Sequence, residues 1–500
     1  MYGIDVARFR DADGDGMGDL AGVIEKLDHV TALGATWIWL LPFYPSARRD
    51  NGYDVDDHLG VDPLLGTMAD VEQLVEAAHE RGLRVLLDLV VHHTSDRHPW
   101  FVASQQGERR YADYYVWRDE PIPPALDPSM FPGEESGSWS YSQRRGLWYR
   151  HAFYSFEPDL NHHHDRVREE LFRIAESWAD VGIDGFRIDA ATHVTNGSDE
   201  PWLTFYDELR HRLEARRPGL LVIGEADLPP EEANPLLQDG RFDALLGFSL
   251  NNRVMLALAR GDARPIADVL DALRGPGQDR WLTFLRNHDE LDLEQLEDRE
   301  RADVMARFAP SEHEQLYGRG IRRALAPMLG TRERLELSIS LLFALPGLPL
   351  LMAGQEIGMG DDLSLSGRAA VRLTMQWDES PSGGFSAAGA SPLVRAAQED
   401  GPYGIPATNV ARAESEAGSV LHLVRALAAM PRSREVEIEV LPAGAAAAPA
   451  LLMRSSDAVT VHHLGDEPVE VPADGLGPHL LGPFTGGAVH ASGYGWFGAR

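Results

Sequence analysis

Short apolar runs alternate along the chain with stretches of helical periodicity. Tyr2 to Val6, Thr36 to Leu41, Val85 to Val91, Phe242 to Phe248 and Leu348 to Met352 are rich in Val, Ile, Leu or aromatic residues, the composition of strands buried on both faces. Three further segments each end in a carboxylate: Gly185-Phe-Arg-Ile-Asp189, Leu221-Val-Ile-Gly-Glu225 and Phe284-Leu-Arg-Asn-His-Asp289. Together they make eight strands. Between them, Met68 to Arg81 places Val71, Leu74, Val75 and Ala78 on one face, with Thr67 as N-cap, Asp70 behind it and Gly82 as the stop. Val167, Leu171, Ile174, Ala175 and Trp178 form a second such face after Asp165. Strands alternating with helices predict a parallel sheet, and eight of them a (β/α)8 TIM barrel in the α/β class.

The acids fall at barrel spacing. Asp189 and Glu225 are 36 positions apart, Glu225 and Asp289 64, close to one and two βα repeats of roughly 30 residues. Three carboxylates then share one rim, the face on which such barrels build active sites.

Two gaps interrupt the rhythm. From Val91 to Gly185 the chain runs about three repeats, and Pro121 to Trp148 is rich in Pro, Ser, Trp and Tyr. This predicts a subdomain inserted after the third strand. Glu290 to Arg334, dense in Arg and Glu, extends the loop after the seventh strand and reads equally as a solvated helical hairpin or as a lid. Beyond Pro431, short β runs such as Val436 to Leu441 and Ala458 to His463 flank the Ala-rich tract Ala445 to Pro449, a linker or turn. The expected organisation is a barrel over 1–95, an inserted subdomain over 96–160, barrel again over 161–430 and a C-terminal antiparallel β domain over 431–500.

Composition narrows the partners. With 500 residues the chain can bury a large core and carry accessory units. It has no cysteine, which removes disulfides and thiolate metal sites. A formal charge of −32 repels polyphosphate and anionic lipid, so neither nucleic acid nor membrane is expected as a partner. No apolar stretch reaches the ~18 residues of a membrane span. A first strand at Tyr2 leaves no room for a leader, and the expectation is a cytoplasmic protein.

Three acids on one rim suit glycoside cleavage, in which one carboxylate attacks the anomeric carbon, a second protonates the leaving oxygen and a third holds sugar hydroxyls. Arg187 lies two residues before Asp189 on the same strand face and would keep it ionised as a nucleophile. Glu225, between Gly224 and Ala226 with no cation adjacent in sequence, suits a general acid of raised pKa. His288 beside Asp289 completes a polar rim. For any single one of these acids, a helix cap or an ion pair is the competing explanation.

Asp88-Leu-Val-Val-His-His93, Gly185-Phe-Arg-Ile-Asp189, Gly224-Glu225 and Asn287-His288-Asp289 resemble, in order, four signature regions of the α-amylase family of glycoside hydrolases and transglycosylases. The resemblance implies Asp189 as nucleophile, Glu225 as acid/base and Asp289 as transition-state stabiliser, with His93, Arg187 and His288 around the glucosyl ring. Leu40 to Ser46, Asn51 to Asp54, His93 to Phe101, Phe284 to Leu291, Gly320 to Arg323 and Glu356 to Asp361 further resemble the trehalose synthase group of that family. That implies isomerisation of maltose and trehalose by glucosyl transfer within the site, acting on a small α-linked glucose disaccharide or oligosaccharide. On the same resemblance Asp50 binds and Tyr53 stacks the terminal glucose, while Arg372 pairs with Asp50 and closes the pocket end. Hydrolysis of short α-glucans, transfer to another acceptor, and a binding protein that has lost catalysis are the alternatives.

Several positions depart from the family pattern. His92 replaces an Asn that often serves a structural calcium, Glu157 replaces Gln, and Gln355 replaces Asp. The loop from Ala190 to Trp202, on the acceptor side, is short.

A separate motif, Asp11-Ala-Asp13-Gly-Asp15-Gly-Met17-Gly-Asp19, sets alternate carboxylates on a Gly-rich loop. The hard oxygens suit a structural calcium held by Asp11, Asp13, Asp15 and Asp19 with the carbonyl of Met17, and the resemblance supports it. Gly22 at the twelfth position excludes an EF-hand. Magnesium, or a solvated acidic turn, is the alternative. No organic cofactor is expected. The run His162-His163-His164 reads as a loop, since three consecutive residues cannot face one ion. Trp148, Tyr149, Phe153, Tyr154 and Phe156 read as the core of the insertion, with one or two free to stack on sugar.

Overall fold

The computed structural model describes residues 1–194, 201–273, 279–387, 392–432, 436–443, 447–472 and 475–499. Its centre is a parallel barrel whose strands are Tyr2–Ile4, Trp37–Leu40, Arg84–Leu89, Gly185–Ile188, Leu221–Gly224, Ala244–Leu246 and Trp281–Thr283, closed by a strand in two pieces, Leu348–Pro349 and Leu351–Met352. Closure depends on the break at Leu350. The first piece pairs with Trp281–Thr283 and the second with Tyr2–Ile4, so one short apolar segment joins the seventh strand to the first and leaves no free edge.

Period-two alternation decides what points inward. Trp39, Leu41, Leu86, Ile223, Leu246, Leu282, Leu350 and Met352 form one apolar cluster inside the barrel, while alternate residues such as Leu87, Phe186, Ile188 and Val222 join the larger core beneath the helices. Two residues further along the same inward faces the side chains become polar: Asp88 follows Leu86, and Glu225 follows Ile223. The register aligns Asp88 with Arg187 and Arg187 with Ile223, so the polar positions of the third and fourth strands stand level with the last apolar position of the fifth. Gly185 begins this face. A Cβ there would lie 2.4 Å from the Leu221 carbonyl and 3.0 Å from Leu86, so only glycine lets these strands approach.

The helices follow their sequence signals. Met68–Glu80 has the full capping box of Thr67 and Asp70 and buries Val71, Leu74, Val75 and Ala78. Asp165–Val181 buries Val167, Leu171, Ile174, Ala175 and Trp178 and stops at Gly182 in a left-handed conformation, φ 104°. Its N-cap is His164, whose side chain accepts from the Arg166 N–H, which gives the last of the three consecutive histidines a structural task.

After the third strand come a helix, Pro99–Gln105, and a three-stranded antiparallel sheet of Trp117–Arg118, Trp139–Ser142 and Leu147–Arg150. The loop beyond the seventh strand is not a helical hairpin. It holds one long helix, Asp298–Phe308, and a small sheet of Leu291–Asp292, Gln315–Leu316 and Gly320–Ile321, because the turn at Tyr317-Gly318, both with positive φ, folds its second half into a hairpin. The chain ends in an antiparallel β domain whose main sheet runs Glu437–Ala443, Ala447–Arg454, Ala458–His463, Tyr494–Gly498, His479–Leu481. Part of the Ala-rich tract, 444–446, lies outside the described residues, as does 195–200 of the loop after Asp189. Among the described residues no helix is long and apolar enough to cross a membrane.

Candidate active site

Arg187 is 1% exposed and carries three acids. Its Nη1 donates to Asp88 and to Asp189, both at 2.6 Å, and its Nη2 contacts Glu225. Asp88 also accepts from the Trp39 indole at 3.0 Å and the Tyr53 hydroxyl at 2.8 Å, which fixes it as the floor of the site. Glu225 is thus not free of cations, contrary to what its sequence neighbours suggest. Its partner comes from the adjacent strand.

One guanidinium cannot neutralise three buried carboxylates. Burial pushes both Asp189 and Glu225 up to about 7, with Arg187 pulling each back and the neighbouring acids adding to the rise. Burial likewise raises Asp88 to about 6 against the pull of Arg187. The three acids around Arg187 therefore titrate together and not singly.

Asp289 is balanced the other way. It meets Arg372 at 2.7 Å and Arg368 at 3.1 Å. Burial would raise its carboxyl, yet these cations hold it well below the usual carboxylate range. Asp50 lies 3.6 Å from each of the same two arginines, so Arg372 holds Asp289 more tightly than Asp50. Tyr53 stacks its ring on His288, with centroids 5.4 Å apart and planes at 11°. Burial lowers both His288 and His93 to about 3, so both imidazoles are neutral.

These groups surround a cavity of about 350 Å³, within the size range of small-molecule sites. Asp50, Tyr53, His93, Asp189, Glu225 and Asp289 line it; Arg187, His288 and Arg372 stand behind the lining. Phe131, Glu290, Arg319 and Arg368, which sequence reasoning passed over, also line it, as does Glu157, which stood out in the sequence only as a departure from the family pattern. Of the insertion's aromatics singled out from sequence, Phe153 reaches the cavity, while Tyr149 packs edge-on against Phe101.

Among the described residues, two acidic groups could hold a cation. Asp11, Asp13 and Asp15 each offer an oxygen within 4.8 Å of the others. Asp19 is not part of this trio: its oxygens accept from the N–H groups of Gly22 at 2.6 Å and Ala12 at 2.8 Å, capping the helix Leu20–Ala32. Met17 buries its side chain in the core. The second group, Asp227, Asp292 and Glu294, lies on the cavity wall and is partly neutralised by Arg319, 2.9 Å from Asp292. Among the described residues no such set forms near His92, where Arg150 holds Asp159 at 2.5 Å.

The family model for the α-amylase catalytic domain matches residues 4–438. The chain belongs to the α-amylase family. It is 38% identical over 446 residues to the trehalose synthase/amylase TreS of Mycobacterium tuberculosis, covering 86% of this chain and 74% of that one. It is 35% identical to the trehalose synthase of Pimelobacter sp., covering 87% and 79%. Among solved structures, an α-amylase from H. orenii superposes with a TM-score of 0.79 at 27% identity, covering 100% of this chain and 99% of that one. The family's barrel and C-terminal β domain are those described above, and the chain is an α-amylase-family glycosidase or transglycosylase.

Proposed function

We propose that this protein interconverts maltose and trehalose by moving a glucosyl unit within the cavity. The observation that carries the reading is the pairing of Asp189 and Glu225 on one guanidinium, in a chain whose relatives over most of its length include trehalose synthases. Two acids on one guanidinium fork suit a retaining pair, whose carboxyls stand about 5–5.5 Å apart, better than the wider pair that makes room for water.

In this reading an oxygen of Asp189 attacks the anomeric carbon while Glu225 gives its proton to the departing glycosidic oxygen, leaving a glucosyl ester on Asp189 and a free glucose. Glu225, now a carboxylate, takes the proton from the anomeric hydroxyl of that glucose. The hydroxyl oxygen then bonds to the anomeric carbon and the ester bond breaks. Asp289, kept ionised by Arg368 and Arg372, faces the positive charge that develops on the ring. Asp50 and Tyr53 hold the far end of the glucosyl unit, with Arg372 behind Asp50. His93, Arg187 and His288 shape the wall and floor.

The Asp11 to Asp15 loop fits calcium. Ligands at the usual 2.3–2.6 Å from Ca²⁺ lie up to roughly 5 Å from one another, and the three carboxylates meet that limit. Calcium would there cross-link the first βα loop as a structural ion, with Asp11, Asp13 and Asp15 as ligands, the carbonyl of Met17 available to complete the set, and Asp19 serving as the cap.

Chromatography of the products that purified protein forms from maltose, and from trehalose, tests the function. Trehalose from maltose with glucose as a minor product is expected. Glucose alone from maltose, with trehalose untouched, would replace the isomerase by a hydrolase.

A further inference from the structure

His92 follows the third strand, Arg84–Leu89, and is wholly buried. Its ring meets three others edge-on: His93 with centroids 5.5 Å apart, Phe153 at 5.4 Å and His193 at 5.8 Å. All three line the cavity, and they come from different parts of the chain: the loop after the third strand, the insertion, and the turn after Asp189. His92 stands behind them. Its main chain is fixed as well, since its carbonyl accepts from the Leu160 N–H at 2.9 Å.

The protons of the two adjacent histidines follow from their partners. Nε2 of His93 lies 3.3 Å from the Tyr53 carbonyl, which only accepts, so that nitrogen carries a proton. Nδ1 of His93 faces Nδ1 of His92 across 3.3 Å. One of these two nitrogens is bare, because two N–H groups cannot bond to each other. Burial holds His93 down to about 3, so its ring has a single proton and its Nδ1 is the bare one. His92 is then the donor. Its Nε2 lies 3.6 Å from Asp159, too far for a hydrogen bond, and the Asp159 carboxylate is held by Arg150 at 2.5 Å and by the Ala152 N–H at 2.9 Å. Of the His92 ring, Nδ1 alone makes a hydrogen bond.

We propose that His92 is a positioning residue for the reaction in the cavity: its Nδ1–H fixes the orientation of His93, and its ring backs Phe153 and His193, so that one buried imidazole sets three side chains of the wall. The inference rests on the reading of the cavity as an α-glucoside site. With Nε2 tied to Tyr53 and Nδ1 to His92, the His93 ring cannot turn without losing a bond. The Tyr53 ring in turn stacks on His288, so the order extends from His92 through His93 and Tyr53 to the residue beside Asp289. A sugar then meets a wall already in place, which lowers the ordering cost of binding.

The test combines ring-nitrogen NMR of the whole protein, labelled with ¹⁵N-histidine, with kcat/KM on maltose for the parent, His92→Phe and His92→Asn. Phenylalanine keeps a ring and loses the donor. Asparagine carries its amide nitrogen on Cγ, where histidine has Nδ1, and so keeps the donor and loses the ring. The parent spectrum is expected to show His92 protonated on Nδ1 and His93 on Nε2 alone, the two assigned by the signals lost in His92→Asn and in His93→Gln. In His92→Phe the Nδ1 signal of His93 moves and kcat/KM falls about tenfold for the lost bond. In His92→Asn that signal stays near its place in the parent, and the fall is about threefold or less. A parent whose His92 is bare at Nδ1 overturns the proposal, as does a His92→Phe protein with the parent's kcat/KM or a His92→Asn protein no better than His92→Phe. If His92→Phe does not fold, the parent spectrum decides. A parent inactive on every α-glucoside would reject the reading of the site, while the spectrum, which needs no substrate, would still decide the donor.

Discussion

The main-chain N–H of Ala190 donates to Oε2 of Glu225 across 2.9 Å, and Ala190 does so from a left-handed conformation, φ 45°. The residue that follows Asp189 thereby holds the second acid of the site. Such a conformation is strained for a non-glycine residue and worse for a β-branched one. Ala190→Val is expected to lose roughly 1–3 kcal/mol of stability and at least ~10-fold in turnover, with Ala190→Gly affected less in both. Thermal melting and initial rates on maltose check the order.

The roles proposed for the two acids predict large kinetic effects. Asp189→Ala removes the bond-forming oxygen and Glu225→Gln the proton donor, so each is expected to lower turnover by at least ~10³-fold while melting stays cooperative. Near-normal turnover in Asp189→Ala would remove it as nucleophile.

The same electrostatics predict a stability signature of definite sign. Asp189 is raised in the folded protein, to about 7 from the ordinary aspartate value of 3.8. Stability linked to it is fully present below the unfolded value and is lost as pH rises through about 7. Asp189→Asn is therefore expected to raise Tm at pH 8, with the gain over the parent shrinking as pH falls towards 5. A variant that melts below the parent at pH 8 would contradict this sign.

Calcium and capping separate in the first loop. Chelation, or Asp13→Ala with Asp15→Ala, is expected to lower Tm, because an ion bound only to the folded state stabilises it by mass action. Asp19→Ala should cost about 1 kcal/mol as a lost cap and leave the protein still responsive to calcium. Elemental analysis without metal, together with melting indifferent to chelator, would count against the ion.

What the sequence disclosed follows the period of the strands. Arg187 and Asp189 share a face by alternation, so their pairing was legible, whereas Asp88 became the floor of the site only through its bonds to Trp39, Tyr53 and Arg187. The contact between Arg187 and Glu225 was less so, because it depends on the register that sets Arg187 beside Ile223. Phe131 and Arg368 were missed for a different reason. They come from an inserted loop and a short 3-10 turn, Gly367–Val371, and meet only in the folded protein, where the Arg368 guanidinium lies 4.9 Å over the Phe131 ring. Asp19 shows a third limit: an aspartate before a helix suits a cap and a metal ligand equally, and the fold gives it the bonds of a cap.

Conversion of unlabelled maltose in the presence of added ¹³C-glucose tests the central claim most directly. If the freed glucose stays in the cavity and is the acceptor for the glucosyl ester on Asp189, the trehalose formed carries little label even when labelled glucose is in excess. Trehalose labelled in proportion to the glucose in solution, or glucose formed with no trehalose, would contradict it.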